Sequence, residues 1–147
     1  MFKHVLIPTD GSPLSRRAIA LGVQLAKSLG ARVTGVFAAP PATPVVYRDH
    51  LPVGYTTPKE HAKMIQESVA RHLGAIELAA KKAGVRCECV HVTSDFPADV
   101  ILAVARKKKC DLIFMATHGR RGIRGVLLGS ETQKVLTHSK IPVLICR

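Results

Sequence analysis

Residues 4–8, 31–38, 111–116 and 141–146 are short, largely apolar runs and 85–92 alternates apolar and polar residues, and each is separated from the next by a stretch with helical periodicity. That succession is the strongest constraint on the fold. Strands that alternate with helices cannot pair as hairpins. They form a parallel sheet reached by right-handed crossovers, with helices on both faces. The runs agree with this, since Val5-Leu6-Ile7 and Leu112-Ile113-Phe114-Met115-Ala116 show no polar alternation and so need cover on both sides. The helix boundaries are also marked. Ser12 is placed to cap a helix with Pro13 at its first position, an apolar stripe of Leu14, Ala18, Leu21, Leu25 and Leu29, and Gly30 as its stop. Thr57-Pro58-Lys59-Glu60 reads as a capping box for a long helix running to about Lys82 before Gly84. Pro97 opens a third, with Val100, Ile101, Val104 and Ala105 inward, and Ser130-Glu131-Thr132-Gln133 reads as another capping box. The expected fold is α/β: a three-layer open twisted sheet of five parallel strands with four helices, spanning residues 1–147 as one domain.

A chain of 147 residues with 47% hydrophobic content can bury such a core without disulfides or metal. Met1-Phe2-Lys3-His4 leads into an apolar run too short for a secretion signal or a membrane span, so a cytoplasmic protein with no membrane partner is expected. Cys87, Cys89, Cys110 and Cys146 have neither CxxC spacing nor scaffold density and read as reduced thiols. Cys87 and Cys89 would share one face of a strand, but zinc would need a second ligand pair, and no metal site is assigned. The net charge of +12 raises nucleic-acid binding. Its clusters, Arg106-Lys107-Lys108-Lys109 and Lys81-Lys82, fall near predicted helix C-termini, where cations complement the dipole. With no tryptophan, two tyrosines and four phenylalanines, no basic segment interleaves with aromatics, which argues against a nucleic-acid partner.

In a parallel sheet of this kind, ligands bind outside the strand carboxyl ends, where strand order reverses. The loops expected there hold Asp10 to Ser12, the stretch from Ala39 onward, residues 94–96, and residues 117–129. The second is long, carries Pro40, Pro41, Pro44 and Pro52, and has the length of a lid or a mobile segment. The last places Gly119, Gly122, Gly125 and Gly129, with Arg120, Arg121 and Arg124 between them, after a buried strand and before a helix. Glycines let backbone N–H groups approach a ligand, and a helix N-terminus adds the positive end of its dipole, so the loop suits an anion. It matches neither GxxxxGK[ST] nor a GxGxxG directly before its helix.

The loop, with Ile7-Pro8-Thr9-Asp10-Gly11-Ser12, the strand entry Asp111-Leu112-Ile113 and the closing Ile141-Pro142-Val143, resembles the universal stress protein family along the whole chain. Members that bind ATP carry Gly, two residues, Gly, nine residues, then Gly-Ser or Gly-Thr. Here Gly119, Gly129 and Ser130 match, while Ala116 stands at the first glycine. The resemblance implies an adenine-nucleotide alpha-hydrolase-like (Rossmann-like) fold, ATP (or ADP or AMP) as ligand, and Mg²⁺ held only through phosphates, near Asp10. It implies phosphate contacts from Gly119, Gly129 and Ser130 with Thr132, and ribose or Mg²⁺ near Asp10. Adenine would be read by backbone at Ala38, with Pro8, Thr9 and Met115 lining the pocket. Ala116, Thr117, Arg120, Gly122 and Glu131 complete the expected contacts.

Plainer roles stand beside these. Asp10 before Gly11 can be a turn residue, Ser130 an N-cap, the arginines solvated surface, and His118 has no partnered nucleophile or carboxylate in its motif and receives no catalytic role. No carboxylate pair, nucleophile elbow or Walker lysine is present, so enzymatic activity is at most slow ATP hydrolysis by positioning. The expected function is a nucleotide-binding stress-response regulator, homodimeric through the final strand with Val143, Leu144 and Ile145. The alternative is a nucleotide-free interaction module whose phosphate loop has decayed at Ala116.

Overall fold

The computed structural model describes residues 1–41, 57–119 and 127–147. Along the chain these form β1 (His4–Pro8), α1 (Pro13–Leu29), β2 (Arg32–Ala39), α2 (Pro58–Ala83) and β3 (Cys87–Thr93). They continue as α3 (Pro97–Lys107), β4 (Leu112–Ala116), α4 (Ser130–His138) and β5 (Val143–Cys146). The five strands make one sheet in the order β3-β2-β1-β4-β5, and every neighbouring pair is parallel. The Pro-rich residues 42–56, and Arg120, Arg121, Gly122, Arg124 and Gly125 of the glycine loop, lie outside the described residues.

Alternation of side chains along the strands explains the three layers. Val5 and Ile7 of β1, with Val33, Phe37, Leu112 and Phe114, face α1 and α2. Leu6, Val36, Ile113 and Met115 face the other way, against Val100, Ile101 and Val104 of α3 and Val135 of α4. Leu6, Ile7 and Ile113 are wholly buried, each worth about 1.5–3 kcal/mol of transfer free energy. The sheet is thus held from both sides by side chains that neighbouring residues send in opposite directions.

The helix signals read from sequence largely hold. Ser12 caps α1 by accepting from Ser15 N at 3.2 Å, and Thr57 and Glu60 form the expected reciprocal box on α2. Gly30 and Gly84 end these helices in left-handed conformation. The stripe on α1 is turned from its expected position: Leu21 is 41% exposed, while Ser15, Ala18, Ile19, Gly22, Val23 and Ala26 are buried. The small residues have the same spacing as the leucines and let the helix backbone lie closer to the sheet. A Cβ on Gly22 would stand 2.8 Å from Ile7 Cδ1, and Leu14, Leu25 and Leu29 flank the contact partly buried.

At the amino ends of the strands the polar groups satisfy one another. The Thr34 hydroxyl donates to Glu88 Oε1 at 3.2 Å and lies 2.7 Å from His4 Nε2, while Lys108 Nζ donates to Glu88 Oε2 at 2.8 Å. Asp111 accepts from the backbone N–H groups of Lys3 and His4. Burial, followed by the nearby Arg32 cation, holds the His4 imidazole pKa below its ordinary value, against the smaller opposing pull of Glu88 and Asp111.

Candidate functional site

Strand order reverses at β1, which pairs with β2 on one side and β4 on the other. The chain leaves β1 for α1 on one face and β4 for α4 on the opposite face, and the two departures open a crevice at the carboxyl edge. A cavity of about 630 Å³ occupies it, within the usual range for small-molecule sites. Its apolar part is made by Val36, Phe37, Ile101 and Met115, and Pro8, Ala38 and Pro40 continue this wall. The polar part comes from three of the four loop regions named by sequence position and the helix turns beside them, through Thr9, Asp10, Ser15, Ser94, Asp95, Gly119, Gly129, Ser130, Glu131 and Thr132.

The β1 side of the crevice is a closed web. Thr9 N donates to Val36 O at 2.9 Å, and its hydroxyl is 2.7 Å from Ser15 Oγ. Ser15 Oγ in turn accepts from Asp10 N, Gly11 N reaches Thr9 Oγ1, and Asp10 Oδ1 accepts from Ser12 N at 3.0 Å. Asp10 is therefore the turn residue that its place before glycine indicates, and it also lines the cavity. Gly11 holds φ +77 with the His72 imidazole packed where a side chain would begin, so only glycine fits that bend. His72 continues edge-on to Phe37, with ring centroids 4.8 Å apart.

The β4 side is pinned at its two ends. Thr117 N donates to Cys146 O, Gly129 N donates to Thr117 O at 2.8 Å, and Thr132 Oγ1 donates to Ala116 O at 3.2 Å. A Cβ on Gly119 would run into the Asp10 carboxylate, so the two loops meet only because this residue has no side chain. Ala116, the departure from the resemblance, is buried at the cavity wall with its carbonyl held by Thr132.

The capping expectation changes here, and Thr117 and Glu131 take structural roles as well. Ser130 is not the N-cap: Gly129, with φ −67 and ψ 157, caps α4, and Ser130 is its first helical residue. The bond from Gly129 N to Thr117 O fixes glycine at the entry, so the expected box does not form, and Gln133 Nε2 donates instead to Leu128 O. Thr117 does not line the cavity. It is buried, its backbone closes the loop, and its hydroxyl is 3.1 Å from His118 Nδ1. Glu131 lines the cavity, but its carboxylate accepts from Ala98 N in the first turn of α3 at 2.8 Å and pairs with Lys134 at 3.0 Å. It thus caps a neighbouring helix whose own cap residue, Phe96, contributes no side-chain bond.

Of the expected contact residues, Pro8, Thr9, Asp10, Ala38, Met115, Ala116, Gly119, Gly129, Ser130, Glu131 and Thr132 come together around one cavity. Arg120 and Gly122 lie outside the described residues. Ser15, Val36, Phe37, Ser94, Asp95, Ile101, His118 and Gln133 also line it and were not among the expected contacts. Ser94 and Asp95 were legible as a strand-end loop and Ser15 as the first turn of α1, whereas Ile101 enters only through the packing of α3. The His118 Nε2 atom is buried without a hydrogen-bond partner while the ring borders the cavity. Among the described residues no group of three or more His, Cys, Asp or Glu could hold a metal ion, and no helix is long and apolar enough to cross a membrane.

The model of the universal stress protein family matches residues 1–147. A universal stress protein of Thermus aquaticus is 32% identical over 151 residues, covering all of both chains. Among solved structures, the universal stress protein UspA of Lactobacillus plantarum superimposes with a TM-score of 0.75 at 19% identity, over 99% of this chain and 98% of that one. A universal stress protein solved in complex with cAMP has a TM-score of 0.68 at 26% identity, over 99% of this chain and 97% of that one.

Proposed function

Because the chain belongs to the universal stress protein family, we propose that it binds an adenine nucleotide, ATP first and ADP or AMP as variants, and acts as a dimeric stress-response regulator in the cytoplasm. The observation that carries the reading is the start of α4. Gly129 has no side chain with which to cap the helix, and the first turn opens onto a cavity bordered by Gly119 and Asp10. Phosphate oxygens suit such an end because backbone N–H groups and the dipole both favour negative charge, by roughly 0.3–1 kcal/mol when exposed and about 2 when partly buried. Ser130 and Thr132 stand in the first turn, and the apolar wall of Val36, Ile101 and Met115 suits a purine. The related structure holding cAMP supports the same ligand class.

The fit extends to the remaining expected contacts. Ala38 and Pro8 lie on the apolar wall, and Asp10 stands across from Gly119, where a magnesium ion carried by phosphates would meet a carboxylate. Positioning is what these residues supply, so hydrolysis, where it occurs, is slow. Calorimetric titration with ATP, ADP and AMP, each with and without Mg²⁺, tests the reading. A saturable heat with one site per chain is expected, and a flat trace at millimolar ligand overturns it.

The dimer is proposed on the β5 edge, where Leu144 is 40% exposed beside half-buried Val143 and Ile145. Leu144→Glu should give monomers by light scattering, and an unchanged dimer removes this contact. One observation favours the nucleotide-free alternative, namely the methyl of Ala116 where the resemblance calls for glycine. Gly119→Ala combined with Ser130→Ala separates the two, because a cellular function that survives both changes does not depend on phosphate binding.

A further inference from the structure

We propose that Cys87 and Cys89 on β3 form a reversible dithiol–disulfide pair that responds to peroxide. The two residues are i and i+2 on an extended strand and point to the same side, toward α2. Their sulfurs are 3.9 Å apart. Two strand steps separate their Cα atoms by about 6.6 Å, inside the upper end of the range of about 4.4–6.8 Å that a disulfide spans. Bond formation therefore requires rotation about χ1 and a local pucker of the strand that brings the two Cβ atoms to within about 4.5 Å. Among the described residues β3 is an edge strand paired only with β2, which leaves it room to bend. A disulfide near the limit of its geometric range is more readily reduced, which suits reversal by small thiols.

The surroundings give the two thiols different parts. Cys89 is wedged in place: its sulfur lies over Gly35, where a Cβ would come within 2.7 Å of it, beside Ile76, and 3.8 Å from the carbonyl of Leu73. The absence of a side chain at Gly35, its register partner on β2, is what leaves room for the sulfur. The Cys87 thiol, half-buried like Cys89, donates to Glu88 O at 3.7 Å. The hydrogen bond from Cys89 lowers the Cys87 pKa against the cost of burial, while the same bond and burial push the Cys89 thiol up. In the proposed pair Cys87, whose pKa its neighbour lowers, attacks, and Cys89 acts as the resolving thiol. Cys110 is buried with its thiol pushed up to about 11 by desolvation and makes no sulfur pair.

The chemistry balances with a hydroperoxide as oxidant. The Cys87 thiolate attacks the peroxide oxygen, forming an S–O bond and breaking O–O, and the leaving alkoxide or hydroxide takes up the proton lost by Cys87. Cys89 sulfur then attacks the sulfenic acid, forming S–S and releasing water with the Cys89 proton. Two thiols and one hydroperoxide become one disulfide, one alcohol or water, and one further water. Reduction by two equivalents of a small thiol restores the pair.

The test uses the native chain of residues 1–147. It is exposed to hydrogen peroxide, alkylated, and cleaved after arginine and lysine, which leaves both cysteines in the peptide 87–106 and Cys110 and Cys146 in others. The expected result is that this peptide loses the mass of two hydrogens and resists alkylation, that dithiothreitol reverses the change, and that Cys110 and Cys146 stay alkylatable at the same dose. Cys89→Ser should leave Cys87 trapped as a sulfenic acid that a dimedone probe labels. Cys87→Ser should react at least about tenfold more slowly than the native chain. The proposal is overturned if Cys87 and Cys89 in the native chain oxidise no faster than Cys110 and Cys146, or accumulate sulfinate rather than disulfide. Equal rates for Cys87→Ser and the native chain overturn it as well.

Discussion

Helices α1 and α4 both begin at the same crevice, one on each side of the reversal in strand order, and they begin in opposite ways. α1 is sealed by its own sequence: Ser12 caps it, and Thr9, Asp10 and Ser15 bind one another and the loop backbone. α4 begins at a glycine with no side chain to offer, and its acidic first-turn residue, Glu131, is turned away to serve α3. A helix start that its own chain has satisfied is structural. One left open toward a cavity is where an external anion gains most, because the same orphan N–H groups must find a partner somewhere. On the proposed reading the phosphate end of the nucleotide belongs at α4, with the α1 loop as the opposing wall.

The sharpest way to break this comparison is Gly119→Ala. The added methyl meets the Asp10 carboxylate, so the walls must part, and nucleotide affinity should fall at least about tenfold, or roughly 1.4 kcal/mol, in calorimetric titration. Unchanged affinity would mean that the two loops do not jointly shape the site. Next in size is a pair of serine changes. Ser12→Ala should cost about 1 kcal/mol of stability in urea unfolding and leave affinity alone, while Ser130→Ala should stay within about 0.5 kcal/mol of the parent in stability and weaken nucleotide binding. If both destabilise equally, α4 is capped as α1 is and the contrast fails. Glu131→Ala removes the acceptor for Ala98 N, and since the carboxylate is partly exposed the stability loss should be near 1 kcal/mol or below, with hydrogen exchange accelerated at the start of α3.

The smallest effect is expected at the far end of the sheet. His4 has its pKa lowered by burial, so on acidification the unfolded chain takes up a proton before the folded one does. Stability is therefore fully present above the ordinary histidine range and declines as pH falls through it toward the lowered folded value. Urea midpoints measured at neutral and mildly acid pH should show this slope in the parent and a flatter one in His4→Gln. Nucleotide affinity of the two proteins should change equally with pH, because the His4 network and the crevice occupy opposite strand ends.

Much of the architecture could be read from residue order. Apolar runs without alternation required cover on both faces, and Ser12-Pro13, Thr57-Pro58 and Pro97 located three of the four helix starts within a residue. The fourth was misplaced by one position because Ser130-Glu131-Thr132-Gln133 has the composition of a cap, and composition does not reveal that Gly129 is tied to Thr117. The leucine stripe on α1 erred for a related reason: Leu21 and Gly22 are adjacent in sequence, and which of them faces the sheet depends on how closely the helix can approach. Cavity-lining residues at strand ends were legible from position, since a parallel sheet directs those loops to one edge. Ile101 and Val36 were not, because their part in the cavity depends on how α3 settles against β2 and β4.

Sequence by itself determined the layered parallel sheet, the edge on which a ligand would sit, and the glycines that let backbone approach it. These follow from local properties: periodicity, caps and the missing Cβ. Tertiary structure decided which helix start is open, where Glu131 sends its carboxylate, and that Asp10 and Gly119 meet across the crevice. Those outcomes depend on distances between segments far apart in the chain, and such distances are set by packing both faces of the sheet at once.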